Sequence, residues 1–468
     1  MLIHNVEVGG RPTRLRIAGG YIEAIDAGLM IRPGETVVDG GGGALLPGLH
    51  DHHIHLFAFA RSLGSVDCGP PLDAGQLARR LGEAAAGSGS GWVRGVGYHD
   101  AVAGKIDRAF LDACAADVPI RVQHRSGRLW IVNSAGLDRL LSGAVGPDPF
   151  ERRDGRLTGR LYDGDEWLGL HTRGERPDLS PVSAILSRHG VTGVTDTGHA
   201  NGLASYDALR AAHRGGELVQ DLLIFGSQEL DGLAGEPGVR VGARKFHLHD
   251  NALPDPDDFA RAIDRAHAAG RGVAVHCVTV ADLVLTLNCL SDAGVDPRDR
   301  IEHGSVIPPD LIDWIARLGV TVVTQPHFIT ERGDSYIADI EAAEIGWLYR
   351  AGTLAAAGVP VAAGSDAPYG QANPWSSMQA AVERRTRSGV LIGADERLSA
   401  EAALALYAGA PESPGGGCRR LAPGGEADLC LLDRPWAIAR NGLGDVTVKL
   451  TLKAGRTVWT SEPSSARR

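Results

Sequence analysis

Eight short apolar runs constrain this chain more than any other feature of its sequence: ALLPGLHDHHIHL, GVTGVTDTG (190–198), LLIFG (222–226), ARKFHLHD (243–250), GVAVHCV (272–278), RIEHGS, VTVVTQP (320–326) and VPVAAGSD (359–366). Stretches of helical period such as DPDDFARAIDRAHAAG separate them, so the series reads as βα units, and eight such units close into a parallel (β/α)8 barrel, the TIM-barrel class of α/β fold. Several runs end on His, Asp or Glu. In a barrel of this kind the C-terminal strand ends form the rim on which chemistry is built.

The 468 residues exceed the ~250 of a plain barrel, and the surplus falls in two places. Residues 1–44 alternate apolar and polar side chains between Gly pairs, and GGEADLCLLD with GDVTVKLTLKAGRTVW repeats that style near the other end. Residues 1–49 and 418–468 are therefore expected to pair into one small β-sandwich, with 50–417 forming the barrel. The second surplus is 57–185, too long for one βα unit and holding its own strand-like PIRVQHR and RLWIVNS. It reads as an inserted cap subdomain, and the Ser/Arg tail after 460 as a frayed end.

Charge and composition exclude several classes. A net charge of -10 leaves no basic footprint for nucleic acid or an anionic membrane, which favours a small-molecule substrate. No apolar run approaches the ~20 residues of a membrane span, and the N-terminus shows no leader pattern, so a cytoplasmic location is expected. Six cysteines without C-x-x-C spacing point to reduced thiols rather than a disulfide frame or zinc knuckle. Nothing in the sequence decides whether the chain forms a homo-oligomer.

Histidine spacing carries the chemistry. With 17 His, random placement alone yields about 0.6 H-x-H pairs, whereas this chain has His50/His52, His53/His55 and His247/His249. Strand alternation puts Asp51, His53 and His55 on one face and His50 and His52 on the other. His53 and His55 fall near the end of their run, where two imidazoles two residues apart can hold one divalent ion. Later runs present Lys245, His276, His303 and Asp366. A lone strand histidine is more often a hydrogen-bonded core residue, and a strand-end Asp often caps a helix. Two imidazoles and a carboxylate at one level of consecutive strands are the donor set that Zn²⁺ or a similar borderline ion prefers.

PGLHDHHIHL, VAVHC, RIEHGS and GSDAP, with the terminal GGEADLCLLD, resemble the metal-dependent amidohydrolase superfamily. GWVRGVGYHDA, LWIVNSAGL, DGRLTGRLYD, VVTQPHF and the Lys245 run are similar to its branch that includes N-substituted formamide deformylases. The resemblance implies a divalent-metal site of one or two ions, with zinc the expected metal. His53 and His55 would bind one ion, His276 and His303 a second, and Lys245, carboxylated on its amine, would bridge them. Asp366 would be both ligand and proton acceptor for the attacking water, with His303 the other catalytic residue. The implied activity is hydrolysis of a non-peptide C–N bond in an amide, N-acyl or N-formyl compound.

Three readings stay open beside it. One keeps the metal but deaminates a heterocycle or opens a lactone or cyclic imide; another is mononuclear, using His53, His55, His276 and Asp366 with His303 on the substrate; the third is a scaffold without catalysis. Where the branch has a histidine ahead of its W-x-x-N-S segment, this chain has Arg128, which could clamp a substrate carboxylate or stand solvated at the surface. Tyr98, Trp130, Asn133, Gln325, Phe328 and Trp375 are the other pocket candidates, with core packing as their alternative. The roles of His247 and His249 stay open.

Overall fold

The computed structural model describes residues 1–461 apart from 71, 89, 90, 143–147, 172–175, 250 and 251. Its largest sheet has eight strands: β1 (Leu49–Ile54), β2 (Val191–Asp196), β3 (Asp221–Gly226), β4 (Val239–His247), β5 (Val273–Cys277), β6 (Arg300–His303), β7 (Thr321–Thr324) and β8 (Val361–Ala363). They pair in parallel and in chain order, so the eight apolar runs of the sequence are the eight strands of a (β/α)8 barrel. Strands such as β2 and β7 are buried along their whole length, as parallel strands covered on both faces must be.

The crossover helices follow from local sequence. Helix Pro256–Ala268 begins where Asp255 accepts the N–H groups of Asp257 and Asp258, has proline in its first turn, and buries Phe259, Ile263 and Ala266 on one stripe. Closure between β1 and β8 is made just beyond β8. Asp366 N–H donates to His53 O at 2.7 Å, and Ser365 N–H donates to the Asp51 carboxylate at 2.9 Å. Gly364 permits this approach, because a Cβ there would lie 2.3 Å from the His53 nitrogen.

Both chain ends build β structure beside the barrel. One sheet orders Tyr21–Ile25, Arg11–Ala18, Leu2–Val8 and Val37–Asp39; another orders Arg456–Thr460, Val448–Lys453, Leu429–Leu432 and Leu45–Pro47. A single apolar cluster joins Ile3, Leu15 and Ile22 to Leu45, Leu429 and Leu452. Each such side chain contributes about 1.5–3 kcal/mol when fully buried, and the pattern ties the two ends of the chain together. The tail after 461 lies outside the described residues.

Residues Phe57–Asp178 form a separate compact unit. Its five-stranded sheet orders Arg160–Tyr162, Leu129–Val132, Ile120–His124, Val93–Tyr98 and Val66–Asp67. Helix Ala74–Gly87, started by a capping box between Asp73 and Gln76, packs Leu77, Leu81 and Ala85 into that unit's core. The unit ends before helix Ser180–Arg188, which belongs with the rest of the chain: Ser187 O accepts from Thr451 Oγ1 of the terminal sheet at 2.7 Å. No helix among the described residues is long and apolar enough to cross a membrane.

One half-buried histidine makes stability depend on pH. Burial, with Arg188 adding to it, pushes the His189 pKa down to about 4. Between ~6.5, its unfolded value, and about 4, the folded chain binds fewer protons than the unfolded one, so stability falls as pH is lowered through that window. The urea midpoint is expected to drop more between pH 7 and pH 4.5 in the parent than in His189→Gln. Equal drops would show that His189 does not contribute.

Candidate metal centre

The ends of β1 and β8 meet at one point. His55 Nε2 lies 3.1 Å and His53 Nε2 3.4 Å from the same Asp366 oxygen, and one ligand atom from each of the three falls within 4.8 Å of the others. His53 and Asp366 are buried, and His55 is partly open to solvent. His53 Nε2 makes no well-directed hydrogen bond among the described residues. An inward-facing imidazole lone pair without a donor, beside a second imidazole and a carboxylate, fits a divalent cation better than it fits a closed hydrogen-bond network.

What fixes the His53 ring is Glu302, a residue the sequence analysis did not single out. His53 Nδ1–H donates to the Glu302 carboxylate, which leaves Nε2 as the free donor to an ion. Glu302 is fully buried and gripped by both forks of Arg300, whose Nη2 also donates to His52 O at 2.6 Å. Burial raises the Glu302 pKa, but Arg300, Lys245 and His53 together hold it well below the usual carboxylate range. Register would have revealed it: the β4, β5 and β6 pairing aligns His247, His276 and Glu302 at one level, with His303 one residue beyond.

His303 joins the site by leaving strand geometry. Its φ is +70°, and Asp366 has φ +52°, so two of the chemistry-bearing residues hold left-handed backbone that costs about 1–2 kcal/mol each. The turn brings the His303 ring 4.7 Å from that of His53 and 4.5 Å from that of His276. His303 Nδ1 bonds Gln325 Oε1 at 2.8 Å, so this nitrogen is the donor and Nε2 remains free. Burial, reinforced by His53, pushes the His303 pKa down to about 3, and burial with His303 and His247 holds His276 well below its ordinary value. Both are neutral, as metal ligation requires.

Lys245 lies beneath them. Its ammonium is buried without a hydrogen-bond partner among the described residues, and desolvation pushes its pKa down to about 8 although Glu302 opposes the shift. Around it the imidazoles form a continuous series. His247 stacks on His276 at 4.2 Å and touches His249 at 4.7 Å and His199 at 5.0 Å. His50 and His52 contact each other instead, 4.6 Å apart, and His50 Nε2 bonds Thr195 Oγ1 at 2.9 Å.

The pocket candidates fare differently. In the 57–178 unit, Arg128 forms a two-pronged pair with Asp163 at 2.8 Å, the Trp130 indole donates to Asp165, and the buried Tyr98 hydroxyl donates to Gly104 O. Asn133 is a fully buried helix cap that also donates to Ala115 O and Val118 O. In the barrel, Trp375 is buried with its N–H on His189 O, Gln325 holds His303, and Phe328 is buried under Arg332. Arg128, Trp130, Tyr98, Asn133 and Trp375 thus have hydrogen-bond partners within the fold, while Gln325 orients His303 through Oε1 and keeps an unpartnered Nε2 among the described residues; the reading of these residues as pocket lining stays a proposal. A second carboxylate group, Asp221 with Glu426 and Asp428, already receives the Lys453 ammonium through Asp221 and Asp428.

Comparison with known proteins follows the same outline. The family model described as the amidohydrolase family matches residues 36–459. N-substituted formamide deformylase of Arthrobacter pascens is 27% identical, with 89% of each chain aligned. Among solved structures, an uncharacterized metal-dependent hydrolase of Pyrococcus horikoshii superposes with a TM-score of 0.76 at 21% identity, covering 94% of this chain and 99% of that one. N-isopropylammelide isopropylaminohydrolase of Burkholderia multivorans does so with a TM-score of 0.55 at 19% identity, over 98% of each chain.

Proposed function

This chain belongs to the amidohydrolase family, and from that premise we propose that it is a metal-dependent hydrolase that cleaves an amide, N-acyl or N-formyl C–N bond in a small molecule. The observation that carries the proposal is the convergence of His53, His55 and Asp366, with the His53 tautomer set by Glu302. The relative named for deformylation makes N-formyl amines the first compounds to test.

His53, His55 and Asp366 would hold one divalent ion, with zinc suited to the imidazole and carboxylate donors. His276 and His303 would hold a second if Lys245 is carboxylated. Such an ion supplies a Lewis acid for the carbonyl oxygen and lowers the pKa of water from 15.7 toward ~7. The Asp366 carboxylate takes a proton from water as the water oxygen attacks the carbonyl carbon. Asp366 then gives that proton to the substrate nitrogen as the C–N bond breaks, so the nitrogen leaves as a neutral amine. Its own acidity suits the first half: His53 and His55 outweigh burial and hold Asp366 well below the usual carboxylate range, so it starts ionised. Lys245 is suited to carboxylation because desolvation lowers its amine pKa to about 8, which raises the neutral fraction able to attack CO₂ above that of an ordinary lysine.

Elemental mass spectrometry on protein purified without chelator, with bicarbonate present, tests this reading. Two ions per chain are expected. One ion would favour the mononuclear arrangement with His303 on the substrate, and none after metal soaking would overturn the proposal. Formate or carboxylate release from N-formyl and N-acyl amines checks the bond cleaved, whereas ammonia release would mark a deaminase.

A further inference from the structure

Helix His327–Asp339 leaves β7 on the side of the barrel where Asp366 lies, and Phe328, Arg332 and Tyr336 follow one another along it at four-residue spacing. The Arg332 guanidinium carbon sits over the Phe328 ring, 3.7 Å from its centre, a cation–π contact that restrains its position. Arg332 Nη2 donates to Tyr369 O at 2.5 Å. Tyr369 in turn donates its N–H to Asp366 O at 2.7 Å and sets its ring edge-on to His55 at 5.7 Å. One residue therefore joins the guanidinium to both the backbone of Asp366 and the ring of His55.

Arg332 is half-buried, yet it makes no ion pair with a carboxylate among the described residues. A partly desolvated guanidinium has five N–H donors, and a carbonyl oxygen compensates neither its charge nor the whole of its fork. The Tyr336 side chain also hydrogen-bonds the guanidinium, and its hydroxyl lies 3.0 Å from that of Tyr349, but neither phenol carries a formal charge. An anion would complete the fork, and its charge would be limited by the nearby Asp366. A single carboxylate matches the fork bidentately and meets less repulsion than a doubly charged phosphate would.

We propose that Arg332 is the docking point for a carboxylate carried by the substrate, so that this chain hydrolyses N-acyl or N-formyl compounds bearing a free carboxylate close to the scissile bond. The assignment rests on the hydrolase reading above for the reaction, but not for the binding. It also moves the clamp suggested for Arg128 to a guanidinium that has no carboxylate ion pair among the described residues.

The experiment compares N-formylphenylalanine with N-formylphenethylamine, which lacks only the carboxylate, on the metal-loaded parent, Arg332→Met and Arg332→Lys. In Arg332→Met, kcat/KM for N-formylphenylalanine is expected to fall about 30- to 100-fold while that for N-formylphenethylamine changes less than about threefold. Arg332→Lys, which restores charge without the fork, is expected to fall between them. An equal loss on both compounds would make Arg332 a packing residue and overturn the clamp. Calorimetric titration with 3-phenylpropionate reads the same site without turnover, and binding should weaken at least about tenfold in Arg332→Met. No binding to the parent, or equal binding to both proteins, overturns the clamp. If neither formyl compound is cleaved but 3-phenylpropionate binding depends on Arg332, the clamp stands and the deformylase form of the hydrolase reading fails.

Discussion

Asp366→Asn is expected to leave a folded, soluble protein whose kcat is lowered at least about 10³-fold on any substrate the parent turns over. The amide keeps the side-chain shape and removes the charge proposed to accept the proton of water. The fold should survive because the backbone of Asp366, not its side chain, closes the barrel through His53 O and Tyr369 N. Asn also tolerates the left-handed backbone at this position, with φ +52°, better than Ala would. Steady-state kinetics, with circular dichroism and metal content measured on the same preparation, check the result. Retained turnover would remove Asp366 from the chemistry.

Arg300→Met should have the largest effect on stability. Arg300 and Glu302 form a buried pair, and removing the cation leaves a buried carboxylate with His53 as its remaining close partner. Breaking such a pair costs about 3–5 kcal/mol, which a urea titration of the metal-free protein would register as a large fall in midpoint. Zinc affinity should fall as well, by about 10- to 100-fold, because Glu302 no longer holds the His53 ring in place. Glu302→Gln separates the two effects: it keeps the volume and part of the hydrogen bonding, so its stability loss should be smaller than that of Arg300→Met while zinc affinity still drops. A parent-like zinc affinity in Glu302→Gln would show that the His53 ring is held by packing alone.

These two predictions turn on residues of unequal visibility. Asp366, His53 and His55 stand out in the sequence because histidine pairs and strand-end carboxylates are rare enough for their coincidence to be noticed. Glu302 does not, since its partner His53 is 249 residues away and no local period links them. Alternation along β6 even argues against His303 sharing a side with its neighbour, and only the positive φ at His303 lets both Glu302 and His303 serve the site.

The pocket candidates are hard to read from sequence for a related reason. Tyr98, Trp130, Asn133 and Trp375 are residue types that bind ligands, but the same hydrogen-bonding atoms satisfy buried backbone and side-chain groups here. Residue type alone cannot separate those uses. Arg332 is the converse case: its charge is ordinary in the sequence, and its lack of a carboxylate ion pair among the described residues is visible only once the elements around it are in place.

By itself, then, the sequence determined the barrel, because eight apolar runs spaced by helical segments have few other ways to bury their surface, and it marked the imidazoles, lysine and aspartate at the strand ends. The tertiary structure decided which of those groups converge, which tautomer His53 and His303 hold, and which polar side chains are already engaged. Those outcomes depend on register, backbone sign and contacts between distant strands, and such quantities exist only after the strands have paired.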